Sequence, residues 1–295
     1  MILESFIHSL IRLYCSTSPI EFGKGRFQKI GRRLLEGRTM KVPSRHGVSL
    51  ELTFPEDAGW EMLFYRGTFE TGTTEAFSKL LRKDDVIIDI GANLGWYTIL
   101  ASQIAEQGTC HAFEPVPFIY KKLRRNCEIN NLKNQVIFHN MALGDTEDSE
   151  VVLYTFKGLY HGHSSLSTLG REDYQESKVP MTTLDSYVAQ NNIDRLDLIK
   201  MDTEGAELKV LEGASQVLSR ESPPIWVIEL NKETSAKFGH TPAELLEYMA
   251  SKNDYRFYRI VKGWGKIKPM NSTSDYQNGD NAICIPASRS DIHLS

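Results

Sequence analysis

The sequence predicts an α/β fold, a mostly parallel sheet with helices on both faces, preceded by a helical and β addition. Three observations carry this. Apolar runs of strand length recur at residues 86–90, 109–113, 136–138, 196–201 and 224–229, with segments of helical apolar spacing between most of them. Three of the runs lead into acids, Glu114, Asp202 and Glu229, and a parallel sheet gathers its strand ends on the rim where ligands bind. The first run passes through a tight glycine turn, Gly91 to Gly95, straight into a helical segment.

Residues 1–80 form the addition. Ile2, Leu3, Phe6, Ile7, Leu10, Ile11, Leu13 and Tyr14 fall at helical spacing with Glu4, His8, Ser9 and Arg12 between them, which predicts an amphipathic helix. It is too short and too charged to span a membrane, and no basic segment precedes it as in a secretory signal. Lys24, Arg26, Lys29, Arg32, Arg33 and Arg38 follow. Residues 1–38 would suit peripheral contact with an anionic membrane, or packing of the helix on its own domain or a second subunit. Residues 38–66 read as a small antiparallel β addition, with runs at 40–42, 48–54 and 62–65 punctuated by Pro43, Gly47, Pro55 and Gly59. A helix over 73–82 leads into the sheet. Glu70 just before it either reaches a ligand or acidifies the helix start.

Residues 81–295 form the main domain. The stretch Asp89-Ile90-Gly91-Ala92-Asn93-Leu94-Gly95-Trp96-Tyr97 reads as strand end, loop and helix start, an arrangement that receives the anionic end of a nucleoside cofactor. A dinucleotide fingerprint wants glycine where this chain has Asn93. Trp96 and Tyr97 either flank the ligand or belong to the core. Glu114, at the next strand end, is placed to accept ribose hydroxyls, or to favour the helix that Pro115 opens. A helix carrying Ile119, Leu123, Cys127 and Ile129 closes at Asn130-Asn131, and a third strand leads to Asn140 and Ala142.

Extra strands at 151–155 and 179–182 flank a polar insert with His161 and His163, which would serve as base or substrate contact or simply face solvent. The fourth strand ends at Asp202 and Glu204. The fifth ends at Glu229, which would bind substrate or pair with Lys200 or Lys232. Thr241, Pro242 and Glu244 spell a helix start, strands at 255–260 and 282–285 close the sheet, and the loop with Trp264, Lys266 and Lys268 reads as a cover over an acceptor.

The balance of 34 basic against 38 acidic residues gives no general attraction to nucleic acid, so a small-molecule or glycan partner is expected. Cys15, Cys110, Cys127 and Cys284 form no C-x-x-C pair and suggest neither zinc nor redox chemistry. With no signal peptide, a cytoplasmic location, membrane-peripheral if residues 1–38 act as an anchor, is the expectation.

Taken in order, D-I-G-A-N-L-G-W-Y-T at 89–98, F-E-P at 113–115, N-M-A-L-G at 140–144, T-L-D at 183–185, K-M-D-T-E-G at 200–205 and E-L-K-V-L-E-G-A at 207–214 are similar to the FkbM family of S-adenosylmethionine-dependent methyltransferases. The resemblance runs over roughly residues 69–260, with Thr203 where the family commonly has Val. It implies a Rossmann-like class I methyltransferase fold of seven strands, the last antiparallel. It implies S-adenosylmethionine held by Asp89, Gly91, Ala92, Asn93, Gly95 and Tyr97, with the methionine carboxylate over the loop, the ribose on Glu114 and the adenine beside Asn140 and Ala142. The activity implied is O-methylation of a hydroxyl on a sugar, glycolipid or natural product, with Asp202 as first candidate base and Glu204 and Glu229 behind it. Acids at two strand ends are also compatible with Mg²⁺, although no spacing demands it and no metal ligand is assigned. Two other readings stand beside this one: a recruitment protein that binds the cofactor without transfer, and an NAD-binding oxidoreductase.

Overall fold

In the computed structural model, strands β1 (Thr39–Pro43) and β2 (Ser49–Thr53) form the expected antiparallel hairpin. Residues 10–11, 13–14, 35–57, 59–132, 135–147, 149–156, 164–165, 174–261, 266–290 and 292 are described. Alternate residues Leu50 and Leu52 of β2 are buried. The outer edge of β2 is covered by asparagines: Asn126 and Asn130 accept from the amides of Glu51 (2.7 Å) and Ser49 (2.9 Å), and Asn130 donates to the Ser49 carbonyl (2.7 Å).

Residues 62–65, expected as a strand, are instead helical, within α1 (Glu61–Arg66). A four-residue apolar run fits either state. Here Gly67 decides: at φ 69° it turns left-handed and donates to the Leu63 carbonyl at 2.8 Å, closing a helical turn. Helix α2 (Thr71–Leu80) then leads into β3 (Val86–Ile90), α3 (Trp96–Ile104), β4 (Thr109–Phe113), α4 (Pro117–Glu128) and β5 (Gln135–His139). Next, β6 (Ala142–Leu143), β7 (Ser149–Phe156), β8 (Ser164–Ser165) and β9 (Tyr174–Thr182) make a separate sheet in the order β6-β9-β7-β8.

The chain returns through α5 (Leu184–Gln190), β10 (Leu198–Met201), α6 (Glu207–Glu212), α7 (Ser215–Leu218), β11 (Ile225–Leu230), α8 (Lys232–Lys237), α9 (Pro242–Lys252), β12 (Tyr255–Ile260), β13 (Ile267–Pro269) and β14 (Asp280–Pro286). Thr241 and Glu244 close the predicted capping box on α9. The main sheet runs β13-β12-β14-β11-β10-β3-β4-β5, with β14 antiparallel to both β11 and β12. These are the seven expected strands plus one. The eighth, β13, comes from the loop expected to cover an acceptor, and it places Lys268 on the outer edge of β12, remote from β10.

Strand order reverses between β3 and β10, since β4 and β5 lie on one side and β10 and β11 on the other. That is where the ends of two neighbouring strands diverge and leave a crevice. Period-2 alternation divides the core: Ile87 faces one cluster, with α3, α4 and the hairpin, while Ile88 and Ile90 face the other, with α6 and α9. Buried apolar residues of the hairpin, α1 and α2, among them Leu50, Leu63 and Phe77, belong to the first cluster.

Of the expected N-terminal helix, Leu10, Ile11, Leu13 and Tyr14 are described and helical, with Ile11 buried and Leu10 and Leu13 exposed. The basic residues from Lys24 to Arg33, and His161, His163 and Trp264, lie outside the described residues. Among the described residues no helix is long and apolar enough to cross a membrane.

Candidate active site

The turn after β3 is built by close approach. Gly91 adopts φ 78°, and a Cβ there would stand 1.9 Å from the Asp202 carbonyl oxygen. Glycine is therefore required where the ends of β3 and β10 meet. The amides of Gly91 and Ala92 both donate to the Phe113 carbonyl (3.0 and 2.9 Å), and that of Gly95 to Ala92 (2.8 Å). Asn93, at φ 49°, donates its amide to Glu114 Oε2 at 2.9 Å. These four amides have protein partners, so what the turn offers a ligand is proximity.

Glu114 is held at both oxygens, the second accepting from the Val116 amide at 2.9 Å. Burial pushes its carboxyl up to about 7, against the two amides that favour its charge. Asp89, buried and bonded by the Thr98 hydroxyl, is pushed by burial to about 6.

A cavity of about 960 Å³, its mouth included, opens above these residues. It brings together Asp89, Gly91, Ala92, Asn93, Tyr97, Glu114, Ala142, Asp202 and Glu204 of the residues singled out from sequence. Three others stand outside its lining. Gly95 (φ 91°) is a packing glycine, where a Cβ would lie 2.7 Å from Leu123 Cδ1. Asn140 donates its amide to the carbonyls of Glu114 and Pro115, both at 2.9 Å, and so holds the β4 end rather than facing the cavity. Glu229 lies behind Asp202 on β11.

The far wall is an acid cluster around one lysine. In the parallel pairing of β10 with β3, Lys200 sits opposite Asp89, and Asp202, two residues on, continues the same face. Glu229 follows Val227, the β11 partner of Lys200, on that face. Lys200 is 1% exposed, with Nζ 3.7 Å from Asp202 Oδ2, 3.3 Å from the Met201 carbonyl and 5.2 Å from the Tyr97 ring centroid. Burial alone would discharge it, but Asp202, Glu70, Glu229 and Asp89 raise its proton affinity above the ordinary lysine value. Asp202 and Glu229 are both pushed upward, chiefly by burial, with Glu204 adding to each and Lys200 working the other way. Tyr97 donates its hydroxyl to Glu70 Oε2 at 2.7 Å.

Two non-glycine residues beside this wall hold left-handed backbone, Glu70 (φ 41°) and Glu204 (φ 54°). Such conformations cost on the order of 1–3 kcal/mol and persist only where the surroundings impose them. For Glu204 the restraint is visible: Glu207 Oε1 accepts from the Thr203 amide (3.0 Å), the Thr203 hydroxyl (3.0 Å) and the Gly205 amide (3.2 Å). Among the described residues no group of three or more His, Cys, Asp and Glu is arranged to hold a metal ion.

Sequence reasoning passed over Lys200 as a member of the wall, along with Trp60, Phe69 and Leu153 of the cavity lining. A signal for Lys200 was present, since a lysine inside the apolar run Leu198-Ile199-Lys200-Met201 must be buried with partners. Trp60 and Phe69, stacked at 4.1 Å, carried none, because their approach to the turn depends on α1.

The Methyltransferase FkbM domain matches residues 89–257, more than half of the chain. The chain belongs to the FkbM methyltransferase family. Methyltransferase 1 of Beauveria bassiana is 30% identical over 148 residues, 44% of this chain and 58% of that protein. The 31-O-demethyl-FK506 methyltransferase FkbM of Streptomyces tacrolimicus is 26% identical over 183 residues, 53% of this chain and 70% of that one. Methyltransferase sdnD of Sordaria araneosa is 27% identical over 164 residues, 46% and 62%. The match to the first and third therefore spans less than two thirds of their length. An O-methyltransferase from Bacillus cereus, solved in complex with SAH, superposes with a TM-score of 0.44 at 12% identity, over 74% of this chain and 82% of that one. The matched stretch, residues 89–257, contains the turn, Glu114, Lys200, Asp202 and Glu229, while Trp60, Phe69 and Glu70 precede it.

Proposed function

We propose that this FkbM-family chain transfers a methyl group from S-adenosylmethionine to a hydroxyl of a sugar, glycolipid or hydroxylated natural product. One observation carries the reading: Glu114 and Asp202, from strands on opposite sides of β3, open on one cavity across Gly91. The residues present suit a cationic donor, since Asp89, Glu114, Asp202 and Glu204 line the cavity and Lys200 is the cation among its described lining residues.

When bound, S-adenosylmethionine supplies a methyl group made electrophilic by the sulfonium. Glu114 accepts ribose hydroxyls with the lone pairs its two amide partners leave free. Phe113, Met141 and Leu143 give the base an apolar seat. Gly91 admits the ligand close to the backbone, and the aromatic side chains of Trp60, Phe69 and Trp96 keep water from the acceptor. Asp202 takes the hydroxyl proton as the acceptor oxygen bonds to the methyl carbon and the carbon–sulfur bond breaks to leave a neutral thioether, a role suited to a carboxylate whose proton affinity burial has raised. The cytoplasm is the proposed location, supported by Cys110, Cys127 and Cys284, which are free and buried.

The test is incubation of the full chain with methyl-labelled donor and a panel of neutral sugars, glycolipids and hydroxylated metabolites, read by mass spectrometry, with S-adenosylhomocysteine calorimetry alongside. Label on an acceptor oxygen is expected. Tight binding of S-adenosylhomocysteine with transfer to no member of a broad panel would favour the recruitment reading instead.

A further inference from the structure

Lys200 is the described cation on a wall of acids, and the reaction as described gives it no part. Its surroundings come from every element that meets the wall. Asp202 follows it on β10, Asp89 pairs with it from β3, Glu229 approaches from β11, and Tyr97 from α3 lies under its ammonium. Glu70, before α2, reaches the group through the Tyr97 hydroxyl, while Glu204 stands on the loop after β10 and Glu207 at the start of α6.

A lysine this deep is costly unless it compensates charge, and a hydrophobic residue would fill the same volume. Two neighbouring, partly buried carboxylates do not both ionise readily, so one must be selected to accept a proton. The compact ammonium lies 3.7 Å from Asp202 Oδ2, and its contact with the Met201 carbonyl ties it to the residue next to Asp202.

We propose that Lys200 is a positioning residue for methyl transfer, fixing the Asp202 carboxylate in place and keeping it the ionised member of the Asp202–Glu229 pair. The inference rests on the reading of Asp202 as the base, but its test needs neither donor nor acceptor. The full chain is labelled with ¹³C at aspartate carboxyls, and the Asp202 resonance is assigned by its loss in Asp202→Asn. In Lys200→Met the midpoint of that resonance should rise by at least about one pH unit, a tenfold change in proton affinity. Lys200→Arg should hold it near the native value.

Glu70→Gln keeps an acceptor for Tyr97 and removes a negative charge, so the midpoint should fall. This variant decides the matter if Lys200→Met does not fold, as judged by near-ultraviolet dichroism. An unmoved Asp202 midpoint in folded Lys200→Met, or in Glu70→Gln where Lys200→Met is unfolded, overturns the proposal. Calorimetry with S-adenosylhomocysteine separates this from failure of the methyltransferase reading: the Lys200 proposal fails with donor binding intact, whereas absence of binding in the native chain removes the reading beneath it.

Discussion

Strands β3 and β10 carry carboxylates at both ends, and the two ends differ in everything else. At the end where the strands begin, Asp85 and Asp197 are fastened on all sides. Asp85 accepts from the Arg82 amide at 2.8 Å, Asp197 from the Val86 amide at 2.9 Å, and Arg195 bridges Asp84 (2.7 Å) and Asp197 (2.9 Å) with Arg289 beyond. At the end where they finish, Asp89, Asp202, Glu229 and Glu70 share one ammonium, and Asp89 and Asp202 line an open cavity. The lesson is that acids near a sheet rim are not themselves a signature of chemistry. What marks the working end is charge left partly uncompensated beside space for a ligand.

This contrast can be broken by substitution. The largest effect belongs to Asp202→Asn, which keeps shape and removes the proposed base, so turnover should drop by about 10³-fold. Next is Gly91→Ala, which forces a Cβ against the Asp202 carbonyl from left-handed backbone. A loss of about 3 kcal/mol in denaturant unfolding is expected, together with loss of S-adenosylhomocysteine binding in calorimetry.

Glu114→Gln should weaken S-adenosylhomocysteine by about 10- to 100-fold, the scale of a charged hydrogen-bonding group lost. Because burial lifts Glu114 to about 7, the free chain takes up a proton there as pH falls through neutrality. A ligand whose hydroxyls donate to the carboxylate favours its ionised form. Native affinity should therefore decline below about pH 7, and the decline should be absent in Glu114→Gln. The smallest effect is at the other end of the strands: Arg195 is half exposed, so Arg195→Met should cost about 1 kcal/mol or less in unfolding and leave turnover unchanged.

How far the sequence displayed this contrast follows from which physics is local. The run from Asp89 to Gly95 and Glu114-Pro115 were readable because strand ends, glycine turns and helix starts are set by neighbours in the chain. Even so, the roles within the turn divided: Gly91 serves close approach to Asp202, Gly95 serves packing on Leu123, and Asn140 is occupied by the carbonyls of residues 114 and 115. Those distinctions depend on contacts between β3, α4 and β10 that no short window contains. Residues 62–65 misled because a brief apolar run suits strand and helix equally. Lys200 was visible as an anomaly, yet its meaning needed Tyr97, Glu70 and Glu229, brought to it from three separate segments.

The measurement that tests the account most directly pairs Asp202→Asn with Asp197→Asn, aspartates at opposite ends of β10, comparing turnover per folded molecule with unfolding free energy. The account predicts that Asp202→Asn stays folded, keeps S-adenosylhomocysteine and loses turnover, whereas Asp197→Asn loses on the order of 1–3 kcal/mol and keeps native turnover once folded. Native turnover in Asp202→Asn would contradict it.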